Sequence, residues 1–209
     1  MIKTILFQGD SITDAKRDRE LPDCYSQTMG SGYVALTAGK LLAANLGREF
    51  CCINRGISGN RIVDLYARWK RDAINLKPDL ISILVGVNDT WHEIASQNGV
   101  ELPRYEKIYR MLLEWTREEL PDVKLVLCEP FSLLSEIVTP EWMAEVAQRG
   151  EIVKKLAAEF DAVFVPLQNV LENAAVEAKD NLKILRDGVH PTLVGAQIIS
   201  DQWLKFVEL

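Results

Sequence analysis

The chain has 209 residues, a formal net charge of −6 and 48% hydrophobic residues, with a pI near 5.1 and a mean hydropathy of −0.01. These proportions suit a folded globular protein and exclude intrinsic disorder. The acidic balance argues against a nucleic-acid partner and against an anionic membrane surface. No apolar run approaches the ~20 residues of a membrane span. The apolar stretch at 2–7 is too short for the core of a signal peptide, and no small-residue cleavage site follows it. The expectation is one domain over 1–209, cytoplasmic, without a nucleic-acid or membrane partner.

Apolar runs and helix-period segments alternate along the chain. Residues 2–7 read as a first strand, and Val34, Ala38, Leu41 and Leu42 as a helix stripe. A second strand follows at 50–53, then a helix face of Ile62, Leu65, Trp69 and Ala73. The run at 80–87 is β-rich, interrupted only by Ser82, as expected of a central strand covered on both faces. Tyr105, Ile108, Leu112 and Trp115 form the next helix face, and 123–128 the fourth strand. Met143, Val146, Gly150, Val153, Ala157 and Phe160 keep i+3/i+4 spacing over a long helix. A short fifth strand at 162–165 and a final helix carrying Ala196, Ile199, Trp203 and Phe206 complete the series. Repeated β-α units predict a flavodoxin-like three-layer α/β/α sandwich with a five-stranded parallel sheet in the order 2-1-3-4-5. Segments 12–31 and 173–189 resist assignment and read as long, function-bearing loops. Cys24, Cys51, Cys52 and Cys128 have no metal-ligand spacing and read as reduced, mostly buried thiols, with Cys51 and Cys52 on opposite faces of a strand.

In an open α/β sheet, ligands bind beyond the carboxyl ends of the strands. Gly9-Asp10-Ser11, the GISGN segment at 56–60 and the GVND segment at 86–89 each follow a predicted strand, so they fall on one sheet edge. The segment DGVHP at 187–191 precedes the last helix. Ser11 alone reads equally well as a turn residue or helix cap. Histidine scarcity changes the weighing: the chain has only His92 and His190, and Asp187 lies three residues before His190 with a glycine between. A tight turn there lets the carboxylate fix the imidazole tautomer and leaves Nε2 to take a serine proton. Pro191 suits a first helical position, which puts His190 at the helix entrance. The backbone N–H groups of Ser11 and Gly59 and the side-chain amide of Asn88 are candidate donors to a developing oxyanion. The four segments together supply nucleophile, base, orienter and oxyanion donors.

FQGDSIT at 7–13, GISGN at 56–60, GVND at 86–89 and DGVHP at 187–191 resemble, in order and spacing, the four sequence blocks of the SGNH hydrolases, the GDSL esterase/lipase family. The resemblance implies Ser11 as nucleophile, His190 as base, Asp187 as orienter, and Ser11, Gly59 and Asn88 as the oxyanion hole, on a flavodoxin-like fold. The contexts GDSITDA, SGYVA, GISGNRIVDLYARW, GVNDTW and DGVHPT are most similar to esterases that remove acetyl groups from xylan fragments. The implied substrate is a small-molecule or oligosaccharide ester, handled without a cofactor or metal. The same family includes lysophospholipases and thioesterases. The charged stretch at 17–24 departs from the pattern and bears on the substrate mouth.

Alternatives stay open at several positions. Trp91 either stacks on a sugar ring or packs internally, and Tyr25 and Tyr33 near the serine loop share that ambiguity. His92 is a second candidate base. Asp10, Asp14 and Asp18 form the acidic series a Mg²⁺-dependent phosphatase would also show. A flavodoxin-like binding module, or a sugar-binding relative without catalysis, would use the same fold. Family relatives often assemble, so a homo-oligomer is a further expectation.

Overall fold

The structure is a computed structural model that describes residues 2–47 and 49–209. Five strands form one parallel sheet: β1 (Thr4–Gly9), β2 (Cys51–Asn54), β3 (Leu80–Leu84), β4 (Lys124–Cys128) and β5 (Val163–Val165). Their order is β2-β1-β3-β4-β5, as the sequence predicts. The change of winding direction lies between β1 and β3, which places the carboxyl end of β1 at the crevice such sheets use for ligands.

The two faces of the sheet follow from the twofold side-chain alternation of a strand. Ile5 and Phe7 of β1, Leu80 and Leu84 of β3, and Val126 and Cys128 of β4 point to one core. That core is covered by α2 (Tyr33–Ala44), α7 (Gln168–Ala178) and α8 (Leu193–Phe206). Leu6, Ile81, Ile83, Leu125 and Leu127 point to the other core. There they meet α3 (Ile62–Asp72), α5 (Leu102–Glu119) and the second half of α6 (Pro140–Glu159). Ser82, the polar residue within the apolar third strand, is buried and accepts the Trp203 indole N–H at 2.9 Å. Without that acceptor, the buried indole N–H would cost about 1–3 kcal/mol.

The structure departs from the sequence reading in four places. The segment at 12–31 contains the four-residue α1 (Ser11–Asp14) and a 3₁₀ turn at Ser26–Met29. The first six residues of the expected link at 173–189 belong to α7, whose buried stripe is only Leu171 and Ala175 while Val176 stays exposed, and a 3₁₀ turn follows at Asn181–Lys183. Residues following Gly86 form α4 (Val87–Ser96), whose first turn buries Asn88, Asp89 and Thr90, so polar residues hide its period. Helix α8 begins at Leu193 with Thr192 as its cap, two residues beyond the expected start. Pro191 instead bridges to Leu185, closing a turn that contains Asp187 and His190.

The cysteines require a correction. Cys24 and Cys51 form a disulfide with a Cα separation of 5.6 Å. Strand alternation is consistent with it: Cys52 points into one core, whereas Cys51, on edge strand β2, is half-buried on the opposite face, where it meets Cys24. Cys52 and Cys128 are free and buried, and burial pushes both thiols up to about 12. Cysteine usage therefore no longer argues for a reducing compartment. Among the described residues no helix is long and apolar enough to cross a membrane. Alkylating the oxidised protein under denaturing conditions should label two cysteines, rising to four after reduction. Four labels before reduction would contradict the pairing.

Candidate active site

The carboxyl end of β1 leads directly into the site. Asp10 caps α1 by accepting the Ile12 N–H at 2.9 Å, and Ser11 is the first residue of that helix. The Ser11 hydroxyl lies 2.9 Å from His190 Nε2, although the two residues are 179 positions apart. The other ring nitrogen, His190 Nδ1, is 2.7 Å from Asp187 Oδ2. The second carboxylate oxygen accepts the backbone N–H groups of Val189 at 3.0 Å and His190 at 2.7 Å. Burial pulls the Asp187 carboxyl up, but the backbone and ring donors of His190 and the Val189 N–H outweigh it and hold it below its usual 3.8. The turn depends on Gly188: its φ is +86°, and a Cβ there would meet the Leu133 carbonyl oxygen at 2.4 Å. Asp187 thus serves this turn rather than capping α8.

The loop after β2 is clipped against the serine loop by buried polar side chains. Asn54 donates to the carbonyls of Thr13 at 2.7 Å and Met29 at 3.0 Å and accepts the Gly56 N–H at 2.9 Å. Asp14 accepts from the backbone and hydroxyl of Ser58 at 3.0 and 2.9 Å and pairs with Arg19. Arg68 reaches both loops, donating to Asn60 Oδ1 at 2.7 Å and the Gly9 carbonyl at 3.3 Å. The Asn88 side-chain amide donates one proton to the Asn60 carbonyl at 3.2 Å, leaving its second N–H unspent. Gly59 has a φ of +85°. Among the described residues, no protein acceptor is recorded for the backbone N–H of Ser11 or Gly59. Three donor N–H groups, from the segments after β1, β2 and β3, thus remain without a protein acceptor among the described residues.

The site opens into a cavity of ≈ 390 Å³ whose wall includes Ser11, Tyr33, Ser58, Arg186, His190 and Leu193. Trp91 is outside this lining: its ring centroid is 5.8 Å from His190 and 5.3 Å from Trp142, so it packs edge-on between them. Tyr25 is exposed and also outside the lining, with its carbonyl accepting from Thr28. Tyr33 is buried, its hydroxyl 3.2 Å from Thr13 Oγ1. His92 lies on α4 close enough to Asp64 to favour that carboxylate, not beside Ser11. Asp10, Asp14 and Asp18 bind separate partners, respectively Ile12, Ser58 with Arg19, and the Glu20 and Leu21 N–H groups. Among the described residues no cluster of three potential metal ligands occurs. Asn54 and Arg186 carry no reading from sequence; Asp14 was weighed only as part of an acidic series, and Ser58 only as a member of the 56–60 segment. Only Asn54, a polar residue ending an apolar strand, carries a signal of the kind that found Ser82.

Asp89 and Asp10 are buried next to Asn88 and Ser11. Asp89 accepts the Ile62 N–H at 3.1 Å, fixing the start of α3. Burial pushes each carboxyl up to about 7, and in Asp89 the attraction of Arg149 opposes this while Asp10 adds to it. A carboxyl with a raised pKa holds a proton in the folded state that the unfolded chain releases near pH 4, so stability falls as pH rises from there toward 7. Asp89→Asn keeps the acceptor for Ile62 and removes the titration. Urea midpoints measured across this window should therefore decline less steeply in Asp89→Asn than in the wild type. Parallel profiles would contradict the assignment.

The description GDSL-like lipase/acylhydrolase belongs to a family model that matches residues 7–198. An acetylxylan esterase from Geobacillus stearothermophilus is 34% identical over 206 residues, covering 96% of this chain and 92% of the esterase. A crystal structure of an acetylxylan esterase from that organism gives a TM-score of 0.88 at 33% identity, covering 99% of this chain and 94% of the other. A protein from Parabacteroides merdae named as a GDSL-like lipase gives a TM-score of 0.91 at 40% identity, covering 97% and 94%. The chain belongs to the GDSL-like lipase/acylhydrolase family, the SGNH hydrolases, and is a carboxylic ester hydrolase.

Proposed function

We propose that this ester hydrolase removes acetyl groups from carbohydrates, xylo-oligosaccharides in particular, through an acyl-enzyme on Ser11. The observation that carries the proposal is the continuous hydrogen-bonded chain from the Ser11 hydroxyl through His190 to Asp187. Ser11 attacks the ester carbonyl while His190 Nε2 accepts its proton, and Asp187 stabilises the imidazolium that forms. The Ser11 and Gly59 N–H groups and the free Asn88 amide proton stabilise the oxyanion. The His190 imidazolium then gives its proton to the departing sugar oxygen, releasing it as the hydroxyl, and the neutral imidazole activates a water that hydrolyses the acyl-enzyme to release acetate. Likeness to the acetylxylan esterase supports the substrate class. Crystal structures of that esterase with catalytic substitutions at a serine, an aspartate and a histidine support the roles, and there too the aspartate lies three positions before the histidine.

One feature favours a longer acyl chain: Leu193 is 73% exposed and Val194 54% exposed on the first turn of α8, an apolar lip beside His190. A hydrolysis panel separates the readings. Acetylated xylo-oligosaccharides should be cleaved faster than octanoyl esters or a lysophospholipid. A preference for octanoyl would overturn the acetyl assignment. Ser11→Ala and His190→Ala should each lower kcat by at least ~10³-fold, and Asn88→Ala by about 10²–10³-fold. A fully active Ser11→Ala protein would overturn the mechanism.

A further inference from the structure

The chain carries more acidic than basic residues, yet the wall of the Ser11 cavity has two cations, Lys16 and Arg186, and no carboxylate. The carboxylates closest in sequence are occupied, Asp14 by Ser58 and Arg19 and Asp187 by His190. Arg186 differs from the other arginines. Every other described arginine donates its guanidinium to a carboxylate, a hydroxyl or a backbone carbonyl. Among the described residues, Arg186 alone has a guanidinium with no recorded partner. Its backbone is nonetheless fixed: the Arg186 N–H donates to the His190 carbonyl at 2.9 Å, inside the turn closed by Leu185 and Pro191. Lys16 is held on the opposing loop in a left-handed conformation, φ 61°, after Ala15, whose carbonyl accepts the Ser31 N–H at 2.9 Å and hydroxyl at 3.0 Å. Two firmly mounted cations without counter-charges therefore border the space a substrate enters.

We propose that Arg186, assisted by Lys16, forms a carboxylate subsite, so that the preferred substrate is an acetylated sugar bearing a uronate. The proposal rests on the acetyl-esterase reading in one respect. An acetyl group has no room for a charge, so the carboxylate lies on the alcohol half of the ester. The planar guanidinium fork matches a carboxylate through two parallel hydrogen bonds. Because Arg186 is exposed and has no protein partner, replacing it leaves no buried group unsatisfied.

The test has two arms. In the first, kcat/KM is compared for an acetylated methyl glucuronoside and its neutral uronamide, in the wild type and in Arg186→Gln. The wild type should favour the anion by about two- to fivefold, the value of an exposed ion pair. The preference should reside in KM, shrink at high salt and approach unity in Arg186→Gln. Equal rates in the wild type, or an unchanged ratio in the variant, would overturn the subsite. In the second arm, calorimetry measures binding of glucuronate, glucose and glucose 6-phosphate without turnover. Glucuronate should bind tightest, through Arg186, and tighter binding of the phosphate would overturn the carboxylate assignment. If acetyl esters are not cleaved but glucuronate still binds through Arg186, the esterase reading fails and the subsite stands. If acetyl esters are cleaved and glucuronate binds no better than glucose, the reverse holds.

Discussion

The contact between the Ser11 hydroxyl and the His190 imidazole joins the first strand end to the last helix entrance, across 179 residues of chain. Neither partner has a reason to be there on its own. The serine is delivered by β1 and by the Asp10 cap, which together set the first turn of α1. The histidine is delivered by a turn held at both ends, by the Leu185–Pro191 bridge and by α8 with its Thr192 cap. Helix α8 is in turn fixed to the sheet by the buried Trp203, whose indole bonds to Ser82 at the centre of β3. The Ser11–His190 contact thus depends on core packing some distance away, as it must when its two groups come from opposite ends of a polypeptide.

Much of this was legible beforehand. Strand order and the three-layer arrangement followed from β-α repetition, and the structure sorts Ile5 and Phe7 to one core and Leu6 to the other. The site residues Ser11, Asp187 and His190 could be brought together because histidine is scarce and an aspartate stands one turn away from one of the two. What escaped was short-range or polar. Helix α4 was hidden because Asn88, Asp89 and Thr90 are buried polar residues, which periodicity reads as surface. Helix α7 was hidden because only Leu171 and Ala175 are fully buried on it, while Val176 is exposed. The disulfide escaped because nothing in local spacing says which loop crosses above an edge strand. Trp91 and Tyr25 were candidates by sequence proximity alone, and the structure gives the packing that sequence could not: Trp91 edge-on between His190 and Trp142, and Tyr25 exposed.

The polar groups around the site divide into two populations. Behind it, Asn54, Asp14 and Asp89 are spent on backbone groups of the loops, so that the strand-end segments act as one rigid unit. Such buried hydrogen bonds are where positional precision comes from. In front, Arg186 and Lys16 retain their full hydrogen-bonding capacity toward solvent. On the proposed mechanism, the first population holds the Ser11 hydroxyl in reacting geometry, and the second would orient a flexible, polar substrate.

The most direct measurement of the serine–histidine coupling is covalent trapping. The protein is treated with a fluorophosphonate and the adduct is mapped by peptide mass spectrometry, in the wild type and in His190→Ala. Stoichiometric modification of Ser11 in the wild type, slowed by orders of magnitude without His190, is the expected result. Modification at another serine, or at Ser11 at the same rate in both proteins, would contradict an imidazole-activated nucleophile.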